Sequence, residues 1–303
     1  MSTALETDIA LTECPVIEST INNTAAKNVD ILLLGETGTG KDRLAQRVHR
    51  LSNRKGNFVA INCAAIPETL AESQLFGVNS GAYTGATQSR AGFIETAHLG
   101  TLYLDEIDSM PLTLQAKLLR VLESRGVERL GSTRFIPLDI RIIASAQHSL
   151  DERVEQGAFR RDLYFRLSIV NINLPALRNQ RERIIPLFLH LVRQEAESFN
   201  QPVPLAPNTL LQQLLCHPWL GNIRELRSAA KRFVLNLPPL AEAVVEYPKI
   251  GVGLKERLQQ IEKLLIEESL RRHDCNVDVT ALDLGIAKRT LYYRMKQLAI
   301  SLA

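Results

Sequence analysis

Residues 31–41, Ile-Leu-Leu-Leu-Gly-Glu-Thr-Gly-Thr-Gly-Lys, decide the fold, because an apolar run leads into a glycine-rich turn that ends in lysine. The apolar run predicts a buried strand, and residues 42–51 predict a helix. Glycines allow the backbone N–H groups of such a turn to face one concavity, where the lysine adds a positive charge. The stretch is therefore typical of a phosphate-binding loop. A merely flexible loop is the alternative, and it would not require glycines and a lysine at this spacing.

One residue departs from the common form of this loop. Ser or Thr usually follows the lysine and binds magnesium through its hydroxyl, but here Asp42 follows Lys41. If Asp42 lacks that role, more of the magnesium coordination falls to other oxygen ligands. The predicted ATP-binding residues of the loop are Gly35, Glu36, Thr37, Gly38, Thr39, Gly40, Lys41 and Asp42.

A second motif, Thr101-Leu-Tyr-Leu-Asp-Glu-Ile107, is a β-type run that ends in two adjacent carboxylates. Side chains alternate in direction along a strand, so Asp105 and Glu106 are expected to take different roles. We predict that Asp105 holds Mg²⁺ and that Glu106 polarises an attacking water. An acidic turn after a strand is common on its own, but the preceding glycine loop favours the catalytic interpretation.

The composition is that of an ordinary soluble globular protein, since 45% of the 303 residues are apolar and 23% are charged. A net charge of +3 does not by itself indicate nucleic-acid binding. Neither a membrane span nor a secretory leader is expected from the apolar pattern. Widely separated cysteines favour reduced thiols in a cytoplasmic protein over a disulfide or zinc framework: Cys14, Cys63, Cys216 and Cys275.

The chain changes character along its length. Between residues 29 and 175, β-type runs alternate with helical stretches, which predicts a parallel sheet with crossover helices. The runs are 31–34, 58–62, 101–104 and 141–146, and the helical stretches are 42–51 and 112–124. Helical spacing without such runs follows, and then a stretch containing proline and glycine. The predicted divisions are a short N-terminal segment at 1–28, an α/β subdomain at 29–175, a helical lid at 176–240, a linker at 241–253 and a helix-turn-helix domain at 254–303.

The two motifs, together with Gly81-Ala-Tyr-Thr-Gly-Ala86, resemble the AAA+ domain of bacterial sigma-54-dependent transcription activators, the enhancer-binding proteins. The hexapeptide is the most specific part of a resemblance that runs from about residue 30 to the C-terminus. Within the family, the chain resembles the short HrpR/HrpS-type activators of type III secretion (hrp) genes. The implied fold is α/β, an AAA+ P-loop parallel sheet with a helical lid subdomain, followed by a small all-α helix-turn-helix C-terminal domain.

The resemblance implies further roles in ATP hydrolysis. Asn62 matches the asparagine that contacts the catalytic glutamate of the family, here Glu106. Arg160 and Arg166 match arginine fingers, which stabilise transition-state charge on the nucleotide of a neighbouring subunit. Arg224, in the second-sensor segment, is implied to reach ATP.

In three places the chain departs from the usual form of the family. Residues 145–147 read Ser-Ala-Gln instead of Ala-Thr-Asn, so Gln147 keeps an amide on a longer side chain. Tyr83 stands where phenylalanine is usual, and Leu220 where proline is common. Asp42 is not such a departure, because the family usually has Glu or Asp at that position.

The hexapeptide predicts a mobile loop, because it consists mainly of glycines and small residues around a single aromatic side chain. A surface turn with a half-buried tyrosine is the alternative on these residues alone. The resemblance favours contact with sigma-54, with Tyr83 and Thr84 touching it, and implies that residues 128–133 help to move the loop. The predicted sigma-54 contacts are Gly81, Ala82, Tyr83, Thr84, Gly85 and Ala86.

The C-terminal residues predict a DNA-binding helix-turn-helix. Asp278–Leu284 predicts a short helix, Gly285 a turn, and Ala287–Leu298 a second helix that is basic. Such a basic stripe suits phosphate contact, whereas a solvated amphipathic helix is the alternative. The segment also resembles the Fis-like domain of the family. The predicted DNA-binding residues are Lys288, Arg289, Thr290, Tyr293 and Arg294.

These features together predict an ATP-hydrolysing transcription activator. It would bind upstream promoter DNA, assemble into a homo- or hetero-hexamer with a related activator, and use ATP with Mg²⁺ to drive residues 81–86 against sigma-54 RNA polymerase holoenzyme. The first 28 residues are too few for a receiver domain. We therefore expect control in trans, by synthesis level, by a co-activator or by an anti-activator protein.

Two other functions stay open on the sequence. One is an AAA+ motor of another class, such as a helicase loader or an unfoldase subunit, which needs neither residues 81–86 nor the tail. The other is a nucleotide-sensing DNA-binding repressor that hardly hydrolyses ATP, which Asp42 and Gln147 keep open. ATP turnover at high protein concentration distinguishes the repressor from the activator.

Overall fold

A computed structural model describes residues 14–83, 87–240, 259, 262–263, 265–267, 269–270, 272–273, 276–298 and 300. Contacts divide the chain into two units, Met1–Arg183 with Trp219–Arg227, and Ile184–Pro218 with Ser228–Ala303. Three of the predicted sigma-54 contacts, Thr84, Gly85 and Ala86, lie outside the described residues, as does the predicted linker.

The first unit is built on a five-stranded parallel sheet. Its strands are β1 (Ile31–Leu34), β2 (Phe58–Asn62), β3 (Thr101–Asp105), β6 (Arg141–Ala146) and β7 (Val170–Asn173), in the order β2-β3-β6-β1-β7. Two shorter strands, β4 (Gly126–Glu128) and β5 (Phe135–Pro137), form an antiparallel pair. The parallel sheet expected from the sequence is confirmed.

Helices cover both faces of this sheet, as buried parallel strands require. They are α1 (Pro15–Thr24), α2 (Lys41–Leu51), α3 (Glu68–Phe76), α4 (Phe93–Thr96), α5 (Leu112–Ser124), α6 (Leu150–Glu155) and α7 (Arg161–Leu167), with 3₁₀ turns at Ile107–Ser109 and Leu177–Asn179. Because side chains alternate along a strand, Leu32 joins the core under α3, α5 and α7, whereas Leu33 joins the core under α1 and α2.

The N-terminal helix α1 is an element that the sequence interpretation missed. Its Ile21 is fully buried in the core under α2. Arg141, also fully buried, donates to the carbonyl oxygens of Ala25 (2.6 Å), Val29 (2.9 Å) and Thr24 (3.1 Å). One guanidinium thereby binds carbonyl groups at the end of α1, at Thr24 and Ala25, and just before β1, at Val29. Burial lowers the pKa of Arg141 to about 10, so the group stays charged at neutral pH.

The second unit contains helices and loops, with no strand among its described residues. It contains most of α8 (Arg181–Ser198), α9 (Asn208–Cys216) and the latter part of α10 (Asn222–Val234), where the rings of Phe188 and Phe233 lie 5.8 Å apart. The tail helices are α11 (Val277–Asp283) and α12 (Lys288–Gln297), each within one residue of its predicted limits. None of the helices that the structure describes combines the length and apolar character needed to cross a membrane.

The tail has a small core of its own. The buried residues are Ile266, Leu270, Val277, Ala281, Leu291 and Met295. Asn276 begins α11 by accepting the backbone N–H groups of Asp278 (3.1 Å) and Val279 (3.4 Å). Gly285, between the two helices, has φ +64°, which a turn residue of this kind needs. The helix-turn-helix outline is therefore confirmed.

Candidate functional site

The glycine loop follows β1 at the carboxyl edge of the sheet and leads into α2, where α/β folds bind phosphate. Gly38 and Gly40 have φ of +81° and +98°, which side chains disfavour. A Cβ at Gly38 would lie 2.3 Å from the carbonyl oxygen of Gly221 and 3.1 Å from the Cβ of Arg224. Ile223 also donates its backbone N–H to the Gly38 carbonyl at 2.9 Å. The loop and the second-sensor segment are thus in direct contact within the first unit.

Lys41 is buried at the start of α2. Its Nζ donates to the carbonyl oxygens of Gly35 (2.6 Å) and Glu36 (3.1 Å). Burial lowers the pKa of Lys41, and the carboxylates of Asp105 and Asp42 oppose that shift. An ammonium held by two backbone carbonyls can exchange them for phosphate oxygens. The glycine loop and its lysine therefore fit a nucleoside triphosphate.

The side chain of Glu36 is engaged within the protein. Arg178 forms a two-armed ion pair with it, including Nη1 to Oε2 at 2.7 Å, and Asn222 Nδ2 donates to Oε2 at 3.1 Å. The hydrogen bonds from Arg178 lower the pKa of Glu36 to about 2. Glu36 therefore offers the predicted ATP site its backbone N–H, whereas its carboxylate anchors the loop.

Asn222 connects three segments that are distant in sequence. Fully buried, with φ +52°, it donates to the carbonyl oxygen of Thr37 at 3.0 Å and accepts the backbone N–H of Leu177 at 2.8 Å. Together with its bond to Glu36, these contacts fix the glycine loop against the 3₁₀ turn that follows β7. Sequence reasoning missed both residues: Arg178 belongs to no recognised motif, and in the second-sensor segment that contains Asn222 only Arg224 was assigned a role.

The catalytic carboxylate candidates lie at the end of β3. Glu106 has φ +53°, a strained conformation for a side-chain-bearing residue, and its Oε1 accepts from Gln147 Nε2 at 3.0 Å. Asn62 instead lies 3.5 Å from Asp105 Oδ2, because β2 and β3 are in register with Asn62 opposite Asp105. In this structure the Asn62 amide therefore bonds Asp105, and its implied contact with Glu106 stays a prediction. The longer side chain of Gln147 provides the amide that reaches Glu106.

The residues fit a magnesium ion that is shared with nucleotide. In the part of the chain that the structure describes, no group of three or more His, Cys, Asp or Glu could hold a metal alone. Magnesium commonly uses one or two carboxylates and completes its shell with phosphate oxygens and water. Asp42 and Asp105 supply such carboxylates, since both lie beside the Tyr103 hydroxyl, at 2.8 and 3.2 Å.

The two arginine-finger candidates differ in their surroundings. Arg160 has a side chain that is 42% exposed and is paired with its neighbour Asp162 at 2.7 Å. Arg166 is only 22% exposed and donates to buried Asp30 at 2.9 Å. Asp30 precedes β1 whereas the glycine loop follows it, so Arg166 lies at the opposite end of that strand from the loop of its own subunit.

The described part of the predicted sigma-54 loop ends at Tyr83, whose side chain is 51% exposed. A Cβ at Gly131 would lie 2.6 Å from the Cβ of Ala82. Residues 128–133 therefore touch the loop that they are implied to move.

All five predicted DNA-binding residues are exposed on α12: Lys288, Arg289, Thr290, Tyr293 and Arg294. Two of them form ion pairs within the tail. Lys288 bonds Asp278 at 2.6 Å, and Arg294 bonds Glu262 at 3.1 Å. Arg289 and Thr290 stand at the N-terminal turn of the helix, where base edges are commonly read.

Family descriptions match three consecutive parts of the chain. They are the sigma-54 interaction domain at residues 12–173, the AAA+ ATPase lid domain at 178–247, and the bacterial regulatory protein, Fis family, at 257–298. The chain therefore belongs to the sigma-54-dependent transcription activators, with an AAA+ ATPase domain and a helix-turn-helix DNA-binding domain.

Two relatives align with it over most of their length. The pathogenicity locus probable regulatory protein HrpS of Pseudomonas syringae pv. syringae is 58% identical over 272 residues, 90% of each chain. The corresponding protein WtsA of Pantoea stewartii subsp. stewartii is 55% identical over 285 residues, 94% of this chain and 88% of the other. Among solved structures, NtrX from Brucella abortus in complex with ADP matches with a TM-score of 0.75 and 30% identity, covering 98% of this chain and 71% of that one.

Proposed function

We propose that this activator hydrolyses ATP and uses the energy to remodel closed complexes of sigma-54 RNA polymerase. One observation carries the proposal: the glycine loop, Lys41, the paired carboxylates and Arg224 lie close together in the first unit, where they suit a nucleotide. The alignment with NtrX, which was solved in complex with ADP and in complex with ATP, supports ATP as the nucleotide bound here. The alignment with regulators of pathogenicity loci supports type III secretion (hrp) genes as targets.

In the proposed site, backbone N–H groups of residues 35–40 and the ammonium of Lys41 bind the phosphates. Asp105, with Asp42, holds Mg²⁺, which neutralises phosphate charge when it is bound. Glu106 accepts a proton from the attacking water while the Gln147 amide fixes its carboxylate. Arg224 contacts the nucleotide from the start of α10.

We propose that subunits assemble into a homo- or hetero-hexamer, so that a finger from one subunit reaches the nucleotide of the next. Arg160 suits this role because it is exposed and only a surface pair with Asp162 must open. Arg166 would first have to break its ion pair with the buried Asp30. We therefore propose that Arg166 contributes less than Arg160 to ATP turnover. Such a guanidinium accelerates phosphoryl transfer by roughly 10³–10⁵-fold.

Residues 81–86 are proposed to press on sigma-54, with Tyr83 and Thr84 at the contact. The close approach of Gly131 to Ala82 supports a push from residues 128–133.

The tail is proposed to bind upstream promoter DNA through α12. Because DNA and RNA polymerase are the partners, we propose a cytoplasmic location, with control in trans by a co-activator or an anti-activator. The domain limits given above stay predictions.

Three variants test ATP hydrolysis. Lys41→Ala should lose ATP binding, and Glu106→Gln should bind ATP without turning it over. Glu152→Gln, which changes an exposed glutamate on α6, is the matched control and should behave as wild type. Wild-type turnover by Glu106→Gln would exclude it as the group that polarises water. A wild-type chain that binds ATP yet hydrolyses none at ring-forming concentrations would favour the repressor function instead.

A further inference from the structure

The buried hydroxyl of Tyr103 lies under the nucleotide site. Tyr103 is only 2% exposed on β3, and its ring stacks on Phe58 at 5.8 Å. Its hydroxyl oxygen is 2.8 Å from Asp42 Oδ1, 3.1 Å from Ser145 Oγ and 3.2 Å from Asp105 Oδ1. Two carboxylates and two hydroxyls therefore meet directly behind the glycine loop.

The available protons assign the donors in this cluster. The phenol has one proton, and its shortest contact is with Asp42. Ser145 donates its own proton to Asp105 Oδ1, and its oxygen accepts the backbone N–H of Glu106 at 3.4 Å. Each carboxylate thus accepts a hydrogen bond from one hydroxyl: Tyr103 donates to Asp42, and Ser145 donates to Asp105.

Asp42 depends on this bond for its orientation. It is an exposed residue in the first turn of α2, and the only hydrogen bond of its side chain to the described residues runs from Tyr103 to Oδ1. Its Oδ2 is left for other ligands. In the common form of the loop a Ser or Thr hydroxyl binds magnesium at this position, whereas a carboxylate can rotate unless something holds it.

We propose that Tyr103 is a positioning residue for magnesium: its hydroxyl holds Asp42 so that the free carboxylate oxygen joins Asp105 in coordinating the ion that accompanies ATP. The inference rests on the proposed ATP site. It assigns to a buried strand residue the orienting role that outer-shell partners of metal ligands commonly have.

The test measures how much Mg²⁺ tightens the binding of a fluorescent ATP analogue, N-methylanthraniloyl-ATP, compared with its binding in EDTA. Tyr103→Phe removes only the hydroxyl and keeps the ring that stacks on Phe58. We expect it to reduce the Mg²⁺-dependent gain in affinity by about tenfold, the size of a lost hydrogen bond to a charged group. Affinity in EDTA should stay within about twofold of wild type, because Tyr103 bonds Asp42 and none of residues 35–41, which are proposed to bind the phosphates.

Tyr164→Phe is the matched control, since it removes a hydroxyl that bonds a different aspartate, Asp151, at 3.1 Å. It should leave the Mg²⁺-dependent gain unchanged. Asp42→Thr restores the hydroxyl of the common loop, and in that background Tyr103→Phe should have no further effect. An equal Mg²⁺-dependent gain in Tyr103→Phe and wild type overturns the inference, as does an effect that persists beside Asp42→Thr.

If Tyr103→Phe fails to fold, Asp42→Ala tests the same hydrogen bond by removing its exposed acceptor. It should lose a similar share of the Mg²⁺-dependent gain, and full retention would overturn the inference. The two proposals fail differently. A wild-type chain that binds no ATP refutes the proposed function together with this inference, whereas normal turnover with an unchanged gain in Tyr103→Phe refutes the inference alone.

Discussion

Replacing Gln147 by alanine tests the contact that orients the catalytic carboxylate candidate. Gln147 Nε2 lies 3.0 Å from Glu106 Oε1, and Glu106 has a left-handed backbone at φ +53°. Alanine removes the amide just beyond β6 while the buried strand keeps its backbone. We predict that ATP turnover falls while the affinity for ATP stays unchanged, because the amide touches the carboxylate and not the phosphate cradle.

The magnitude follows from the kind of bond that is lost. A hydrogen bond to a charged group contributes about 1.5–3 kcal/mol, and this pair is only half-buried, so the lower end applies. A loss of about 1.4 kcal/mol in transition-state stabilisation corresponds to a tenfold fall in kcat. Gln147→Asn, whose amide is one methylene shorter, should recover little of it.

The assay is phosphate release at saturating and limiting ATP, at protein concentrations that allow assembly. Asn62→Ala is the comparison, because its amide lies beside Asp105 and not beside Glu106. It should lower kcat by about threefold at most, as expected for a bond at 3.5 Å. A tenfold loss in Asn62→Ala with none in Gln147→Ala would refute the reasoning and restore Asn62 as the partner of Glu106 in the working ring.

Three further outcomes are expected. Glu36→Gln should lower the free energy of unfolding by about 1 kcal/mol at pH 7, since the pair with Arg178 is about 40% exposed and screened by solvent. Because the folded pKa of Glu36 is depressed from 4.5 to about 2, the difference from wild type in urea unfolding should narrow as pH falls from 4.5 towards 2. Arg141→Met should lower the free energy of unfolding by about 2–4 kcal/mol, because the carbonyls of Ala25 and Val29 lose their guanidinium partner, whereas that of Thr24 keeps the backbone N–H of Lys27. Arg160→Ala and Lys41→Ala should each be inactive alone, yet their mixture should regain ATP turnover if the finger acts between subunits, and an inactive mixture would contradict that.

Strand limits at residues 31–34, 58–62 and 141–146 could be predicted from the sequence, because each is a short run with consecutive apolar residues that include isoleucine or valine. The first strand also carries the loop, so its place at the carboxyl edge followed directly. α1 could not be predicted as part of the sheet's core, because its polar surface concealed Ile17 and Ile21, which are spaced four residues apart.

The side-chain contacts around the glycine loop could not be predicted from the sequence, for a different reason. Glu36 belongs to a phosphate motif, yet its carboxylate is held by Arg178 and Asn222, which are far away in sequence. Tyr103 is typical of a buried strand residue, and only its position beside Asp42 shows what its hydroxyl contacts. Side-chain partners of this kind depend on strand register and chain packing, which a single sequence does not specify.

The measurement that tests the central claim most directly compares ATP turnover and promoter opening in one reaction with sigma-54 RNA polymerase. The variant is Thr84→Ala, which changes the hexapeptide and none of the residues proposed to bind the nucleotide. The account predicts wild-type ATP turnover together with loss of open complexes, because ATP is still hydrolysed while the contact with sigma-54 is missing. Open complexes formed at the wild-type rate by Thr84→Ala would contradict the claim that this loop delivers the energy of ATP to the polymerase.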